Sequence, residues 1–167
     1  MSPLDHIAIR PAQTIDASAI AAIYNEGIRS RTSTFETRER TTEDILAWFE
    51  LPRYPILVAE SNGQLLGWEA ASTYRPRDCY AGVAEFSVYV AFSAHGLGIG
   101  SALMSAFIPA CAHAGFWKLL SRIFPENKAS LALCKRHGFR EVGIYEKHAQ
   151  LEGIWRDVVI VERLLIS

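Results

Sequence analysis

The run His95-Gly96-Leu97-Gly98-Ile99-Gly100 follows the apolar stretch Phe86-Ser87-Val88-Tyr89-Val90 and opens a long amphipathic segment. A strand that ends in closely spaced glycines and turns into a helix leaves several backbone N–H groups unpaired, with the positive end of the helix dipole behind them. Such a turn can bind phosphate through amides, because alternate glycines let the main chain approach a diphosphate with no Cβ in the way. The spacing is neither that of a dinucleotide-fold fingerprint, Gly-x-Gly-x-x-Gly, nor that of a Walker loop, which needs Gly-Lys-Ser/Thr. A second constellation is Arg75-Pro76-Arg77. Its proline stiffens the segment, and in an extended conformation both guanidinium groups turn to one side, where planar forks suit a carboxylate or an oxyacid. Glycine-rich turns also serve packing and loop arginines also serve solvation, so each constellation carries a structural reading beside its chemical one.

The elements that must position these groups show in the hydrophobic period. Ile99, Ala102, Leu103, Ala106, Phe107, Ala110, Cys111 and Ala114 recur at three-and-four spacing, which predicts a helix with one buried stripe after the glycine run. Pro109 lies inside it, removes the bond to the Ser105 carbonyl and is expected to bend it. Upstream, Ile7 to Arg10 alternates as a first strand. Asp16 reads as the N-cap of a helix carrying Ile20, Ile23 and Tyr24, with Ile15 as a staple. A loop from Arg29 to Arg40 follows. Thr41 with Asp44 then resembles a capping box for a second helix bearing Ile45, Trp48 and Phe49, closed by Pro52 and Pro55.

Ile56 to Ala59 and Leu65 to Trp68 flank Asn62-Gly63, a strong hairpin signal. After a loop from Tyr74 to Tyr80 come a strand through Val90, the glycine turn and its helix, and a strand at Lys118 to Phe124. A short helix from Lys128 ends at a C′ residue, Gly138, and two strands surround a turn near Gly153. This order predicts one α/β domain over residues 1–167, a mixed sheet with helices on its faces.

Composition narrows the partner. The chain has 167 residues, 50% of them hydrophobic, enough for one well-cored domain and short for two. Its 17 basic and 18 acidic residues leave no field suited to nucleic acid or anionic membranes, so a small-molecule partner is expected. No apolar run approaches the ~20 residues of a membrane span, and Met1 to His6 lacks the regions of a signal peptide, which predicts a cytoplasmic protein. Cys79, Cys111 and Cys134 lack metal-ligand spacing with any histidine; reduced thiols and no metal are expected, with Cys111 in the core.

Phe86-Ser87-Val88-Tyr89-Val90, the glycine run, Pro125-Glu126-Asn127-Lys128-Ala129-Ser130 and Gly138-Phe139 together resemble the GNAT superfamily, the GCN5-related N-acetyltransferases, over roughly residues 7–165. Four further stretches resemble its phosphinothricin acetyltransferase branch, and within it the arsinothricin-resistance N-acetyltransferases. They are Thr34-Phe35-Glu36-Thr37-Arg38, Tyr74 to Tyr80, Glu85 to Val90 and Gly153-Ile154-Trp155-Arg156-Asp157-Val158. The resemblance implies a GNAT fold with a mostly antiparallel sheet, a homodimer, and acetyl transfer from acetyl-CoA to the α-amino group of a glutamate analogue. Arsinothricin, phosphinothricin and methionine sulfoximine are such analogues, and acetylation would confer resistance to them.

By the same resemblance Val88, Tyr89, Val90, His95, Gly96, Leu97, Gly98, Ile99, Gly100, Ser101, Asn127 and Ser130 hold acetyl-CoA. Phe35, Thr37, Arg75, Arg77, Tyr80 and Phe86 line the acceptor site, and Glu85 is the base. An α-amino group with a pKa of ~8 is mostly protonated at neutral pH and must lose a proton before it attacks a thioester. The developing oxyanion needs a donor, which a main-chain N–H near Val88 to Val90 can be. Two positions depart from the family pattern: His95 stands where Arg or Gln is usual, and Cys134 where a tyrosine often protonates the departing thiolate. Competing readings are acetylation of another small amine or a peptide N-terminus, and a non-catalytic acetyl-CoA sensor.

Overall fold

The computed structural model describes residues 6–166; residues 1–5, which carry most of the signal-peptide reading, and residue 167 lie outside it. Seven strands form one sheet: β1 (Ala8–Pro11), β2 (Ile56–Ser61), β3 (Gln64–Thr73), β4 (Val83–Val90), β5 (Lys118–Ile123), β6 (Arg140–Leu151) and β7 (Ile154–Leu164). Their spatial order is β1-β2-β3-β4-β5-β7-β6. Every neighbouring pair is antiparallel except β4 and β5, which are joined by a helical crossover as a parallel pair requires. The helices α1 (Ala17–Ser30), α2 (Thr42–Leu46), α3 (Ile99–His113) and α4 (Lys128–Arg136) cover both faces. The α/β class with a mostly antiparallel sheet is therefore the observed one.

Local chemistry explains the turns. Asn62 and Gly63 both take positive φ, 51° and 78°, the pair whose twist matches that of the flanking strands, and Ser61 pairs with Gln64 across them. Asp44 N–H donates to Thr41 Oγ1 at 3.2 Å while Thr41 N–H donates to Asp44 Oδ2 at 2.8 Å, the reciprocal box expected there. The helix it starts is short, and Trp48 and Phe49 fall in a 3-10 turn, Ala47–Glu50.

Asp16 departs in part from its expected role. It is the N-cap residue of α1, as expected, but its side chain makes no capping bond: the carboxylate accepts Gln13 N–H at 2.7 Å and two bonds from Arg10 at 2.8 and 3.0 Å, closing a 3-10 turn, Thr14–Asp16. The bidentate guanidinium holds this carboxyl below the usual carboxylate range, a partner stronger than a neutral cap. Ile15 is 83% exposed and staples nothing. Pro109 does not interrupt α3, which runs from Ile99 to His113; Pro109 and Ser105 are both exposed, so solvent reaches the carbonyl that the ring leaves unpaired. Met104 and Ile108 join the buried stripe of that helix, and the alanines lie half-buried at its margin.

Alternation along β3 and β4 divides the core in two. On one face Trp68 stacks on Tyr89 at 5.1 Å and meets Tyr24 of α1 and Trp48 at 5.3 and 5.2 Å. On the other, Phe86 packs on Phe107 of α3 and on Phe139, and Gly67 lies beneath Ile99 and Leu103. The register pairs Glu85 with Ser72 and Ser87 with Ala70 on the Trp68 face, and Val88 with Glu69 on the α3 face.

Candidate active site

β4 and β5 pair only over Val83 to Glu85 and Lys118 to Leu120. Beyond that point they part, and ladder alternation fixes what β4 presents to the gap. Ala91 N–H donates to the Leu66 carbonyl at 2.8 Å, so the amides of Tyr89 and Ser87 face β3 while those of Val88 and Val90 face the opening. Two contacts agree with this: Ser121 Oγ donates to the Phe86 carbonyl at 3.0 Å, and His95 Nε2 lies 2.9 Å from the Val90 carbonyl, both on the parted side.

A cavity of about 430 Å³ fills the gap, walled by Val88, Tyr89, Val90, His95, Gly96, Gly98, Ile99, Gly100, Ser101, Asn127 and Ser130. Of the residues expected to hold a cofactor, only Leu97 is missing from this wall; it packs against the core. The glycines are there for two reasons. Gly96 and Gly98 take φ of 78° and 80°, and Gly98 directly precedes α3. Gly100 lies inside the helix, where a Cβ would meet Leu133 Cδ2 of α4 at 3.3 Å, so it lets the two helices close on the cavity.

Arg136, in the last turn of α4, reaches the same wall and adds a positive charge to the amides at the start of α3. Ser101 Oγ lies 2.8 Å from His137 Nε2, and burial, then Arg136 and Arg163, lower the pKa of that histidine. Asn127 Oδ1 accepts Ser130 N–H at 3.3 Å, capping α4. Gly27, Ser30, Thr32 and Ser33 complete the wall from the end of α1. Neither they nor Arg136 carried a signal in the sequence, because they come to the gap from segments far away along the chain. Amides, one guanidinium and a narrow apolar slot fit a diphosphate with a long thin arm.

The opposite side of β4 differs. Glu85 accepts Arg122 Nη2–H at 2.7 Å, and its side chain is 25% exposed. Burial raises its pKa, while Arg122 and Arg75 pull the other way. A second cavity, about 580 Å³, lies between α1, α2 and the Trp68 face, lined by Tyr24, Arg40, Asp44, Trp48, Ser72 and Ser87 among others. Glu85 lines neither cavity, but it is directly across from Ser72 and two residues before Ser87 on the same face, next to residues that line this one. The rings of Tyr24 and Tyr89, 4.9 Å apart, stand between the two cavities.

Of the other expected acceptor residues, Arg75 is near enough to Glu85 to help lower its pKa, and the rest are dispersed. Arg75 lies 5.1 Å from the Tyr74 ring, Tyr80 meets Tyr74 edge-on at 5.4 Å, and Arg77 precedes the 3-10 turn Asp78–Tyr80. Arg75, Arg77 and Thr37 are exposed, and none of Phe35, Thr37, Arg75, Arg77 and Tyr80 lines either cavity. Phe35 packs edge-on against Phe124 at 4.9 Å in a small separate cluster with Leu151 and Val158. Phe86 is a correction: 4% exposed between Phe107 and Phe139, it is core on the α3 face and lines neither cavity. Cys134 is buried, and burial and then Glu69 push its thiol up to about 12. Arg122, the ion-pair partner of Glu85, has no signal in the sequence, because the pairing depends on where β5 docks.

A profile of the acetyltransferase (GNAT) family matches residues 20–139. The chain is 33% identical to a phosphinothricin N-acetyltransferase of Streptomyces coelicolor, over 95% of this chain and 96% of that protein. It is 31% identical to an L-methionine sulfoximine/L-methionine sulfone acetyltransferase of Pseudomonas paraeruginosa, over 93% and 92%. Among solved structures it resembles a GNAT superfamily phosphinothricin acetyltransferase from Sinorhizobium meliloti in complex with AcCoA. That likeness has a TM-score of 0.88 at 28% identity and covers 95% of this chain and 88% of the other.

Proposed function

The chain belongs to the GNAT family of acetyltransferases, and from that membership we propose that it transfers the acetyl group of acetyl-CoA to the α-amino group of a glutamate analogue. Phosphinothricin, methionine sulfoximine and arsinothricin are the acceptors this reading names. The observation that carries it is the position of β4 between two cavities, one bordered by the free amides of the glycine turn and the other lined by Ser72 and Ser87, the strand neighbours of Glu85. Acetyl-CoA supplies the acyl group as a thioester, with its diphosphate at the amides of residues 96–101 and at Arg136. The Val88 or Val90 amide donates to the thioester oxygen as negative charge grows there, a donor already oriented by the ladder. Glu85 takes the ammonium proton, directly or through a water, from the acceptor side. The amine attacks the thioester carbon, the C–S bond breaks as the C–N bond forms, and coenzyme A leaves as the thiolate, which takes up the remaining amine proton by way of solvent. The raised pKa of Glu85 brings it toward that of the amine, which shortens the uphill part of the transfer.

This reading carries with it a cytoplasmic resistance enzyme; no helix of the described residues is long and apolar enough to cross a membrane. It also carries a homodimer. Val142, Ile144, Tyr145, Ile154 and Trp155 on β6 and β7 are about half exposed or more, and β6 is an unpaired edge, a surface suited to a second copy. The deciding measurement is thiol release from acetyl-CoA in the presence of each of the three amino acids. Release that depends on one of them is expected; none with any of them overturns the proposal.

A further inference from the structure

The cavity on the Trp68 face holds one guanidinium, and it belongs to neither of the arginines singled out by the sequence. Arg40 is tied at its backbone to α1: its N–H donates to Asn25 Oδ1 at 2.7 Å, and Asn25 Nδ2 donates to its carbonyl at 3.0 Å. The side chain, 21% exposed, crosses toward Tyr24, with the guanidinium carbon 5.7 Å from the ring centroid, and reaches the cavity wall. Its charge is met by Glu36 at 3.0 Å, whose own side chain is 46% exposed on the loop before α2. The other charge at the cavity, Asp44, is already engaged by Thr41 N–H at 2.8 Å and Arg38 at 3.0 Å.

We propose that Arg40 receives the anionic end of the acceptor side chain, and that Glu36 is a placeholder carboxylate which the acceptor displaces. The proposal rests on the reading of the enzyme as an N-acetyltransferase of glutamate analogues. A planar fork on a fixed backbone matches a phosphinate or carboxylate in two bonds, and the rings of Tyr24, Trp48 and Trp68 wall the cavity beside it. Glu36 approaches from the solvent side and holds the fork in place while the cavity is empty. A half-exposed ion pair of this kind contributes little, so exchanging it for the acceptor's anion costs little. With Arg40 at one part of the cavity and Glu85 next to its Ser72 and Ser87, an acceptor is held by its far end while its amine faces the base.

The test compares phosphinothricin, whose side chain ends in an anion, with methionine sulfone, whose end is uncharged. For Arg40→Met the KM for phosphinothricin is expected to rise about 10- to 100-fold relative to any change in the KM for methionine sulfone, the worth of a charge-assisted contact. The fork-specific variant Arg40→Lys should lose part of this discrimination, and Glu36→Gln should lower the phosphinothricin KM severalfold. Equal losses for both acceptors, or no change for either, would overturn the assignment. Wild-type enzyme that acetylates methionine sulfone but not phosphinothricin removes the anion site and leaves the N-acetyltransferase reading standing. Turnover of neither removes both.

Discussion

The two sides of β4 are built from different materials. On the parted side, main-chain amides held by the ladder and by the glycine turn stand among neutral polar side chains such as Ser101, Asn127 and Ser130, with Arg136 the added charge. On the Trp68 side they are side chains: Glu85 with Arg122, Arg40 with Glu36, Asp44 with Arg38. Amides serve a partner that is always the same, because they cannot be exchanged without rebuilding the backbone. Side chains serve a partner that varies between relatives, because single substitutions retune charge and shape. On the proposed function, the same strand separates a constant co-substrate from an acceptor that differs among relatives.

The sharpest way to break this division is at Glu85. If the Trp68 side supplies the chemistry, Glu85→Gln should cut kcat by about 10²- to 10⁴-fold while the KM for acetyl-CoA changes little. In the wild type, kcat/KM should fall as pH drops through the raised pKa of Glu85, since only the ionised form accepts a proton, and this acid limb should vanish in the variant. A full rate with an unchanged pH profile would place the base elsewhere.

A second carboxylate on the same two strands sharpens the contrast. Glu69 stands opposite Val88 on the α3 face, is 0% exposed, and neither of its oxygens has a hydrogen-bond partner among the described residues. Burial alone pushes its pKa well above the ordinary value, with no arginine to oppose it as Arg122 opposes it at Glu85. The folded-state pKa exceeds the unfolded one of ~4.3, so its contribution to stability is most favourable below that value and is progressively lost as pH rises through the folded pKa. Glu69→Leu should therefore stabilise the protein by about 1–3 kcal/mol near neutral pH, the cost of an unpaired buried polar group. Thermal melts should show the gain shrinking toward pH 4; a loss at every pH would mean that Glu69 has a partner.

On the amide side, Gly98→Val forces a β-branched residue to φ near 80° at the start of α3, a strain of roughly 1–2 kcal/mol. If the turn grips the diphosphate, part of that strain is released by turning the amides away. The KM for acetyl-CoA should then rise by about 5- to 30-fold with a smaller change in the KM for the acceptor. Equal effects on the two substrates would blur the division.

How much of this could be read beforehand follows the same line. The glycine spacing, the Asn62-Gly63 turn, the Thr41 box and the Gly138 stop are local chemistry, and local chemistry is written in consecutive residues. The wall of the cavity beside the parted strands is legible for that reason. The position of Asp16 at the start of α1 is legible but its side-chain bond is not, because Arg10 at the end of β1 competes for the carboxylate, and the core place of Phe86 is hidden because alternation alone does not say which face a strand turns to a cavity. Arg122 and Arg40 were invisible as site residues. Each meets its cavity or partner only after β5 docks on β4 and the loop before α2 folds back on α1, and neither pairing has a spacing that reports it.

The smallest effect tests whether any side chain matters in the glycine turn. His95 stands where an Arg or Gln is usual, yet it is exposed and its Nε2 is 2.9 Å from the Val90 carbonyl, with Phe92 edge-on to the ring at 5.2 Å. A glutamine amide can donate to the same carbonyl, and Gly96 and Gly98 keep their conformation whatever precedes them. His95→Gln should therefore move the KM for acetyl-CoA by no more than about two- to threefold, the range of ordinary surface substitutions. Steady-state kinetics across neutral pH would check this. A tenfold change would show that the residue at position 95 contributes its own contact to the diphosphate, and the amide side would then be less purely backbone than its geometry implies.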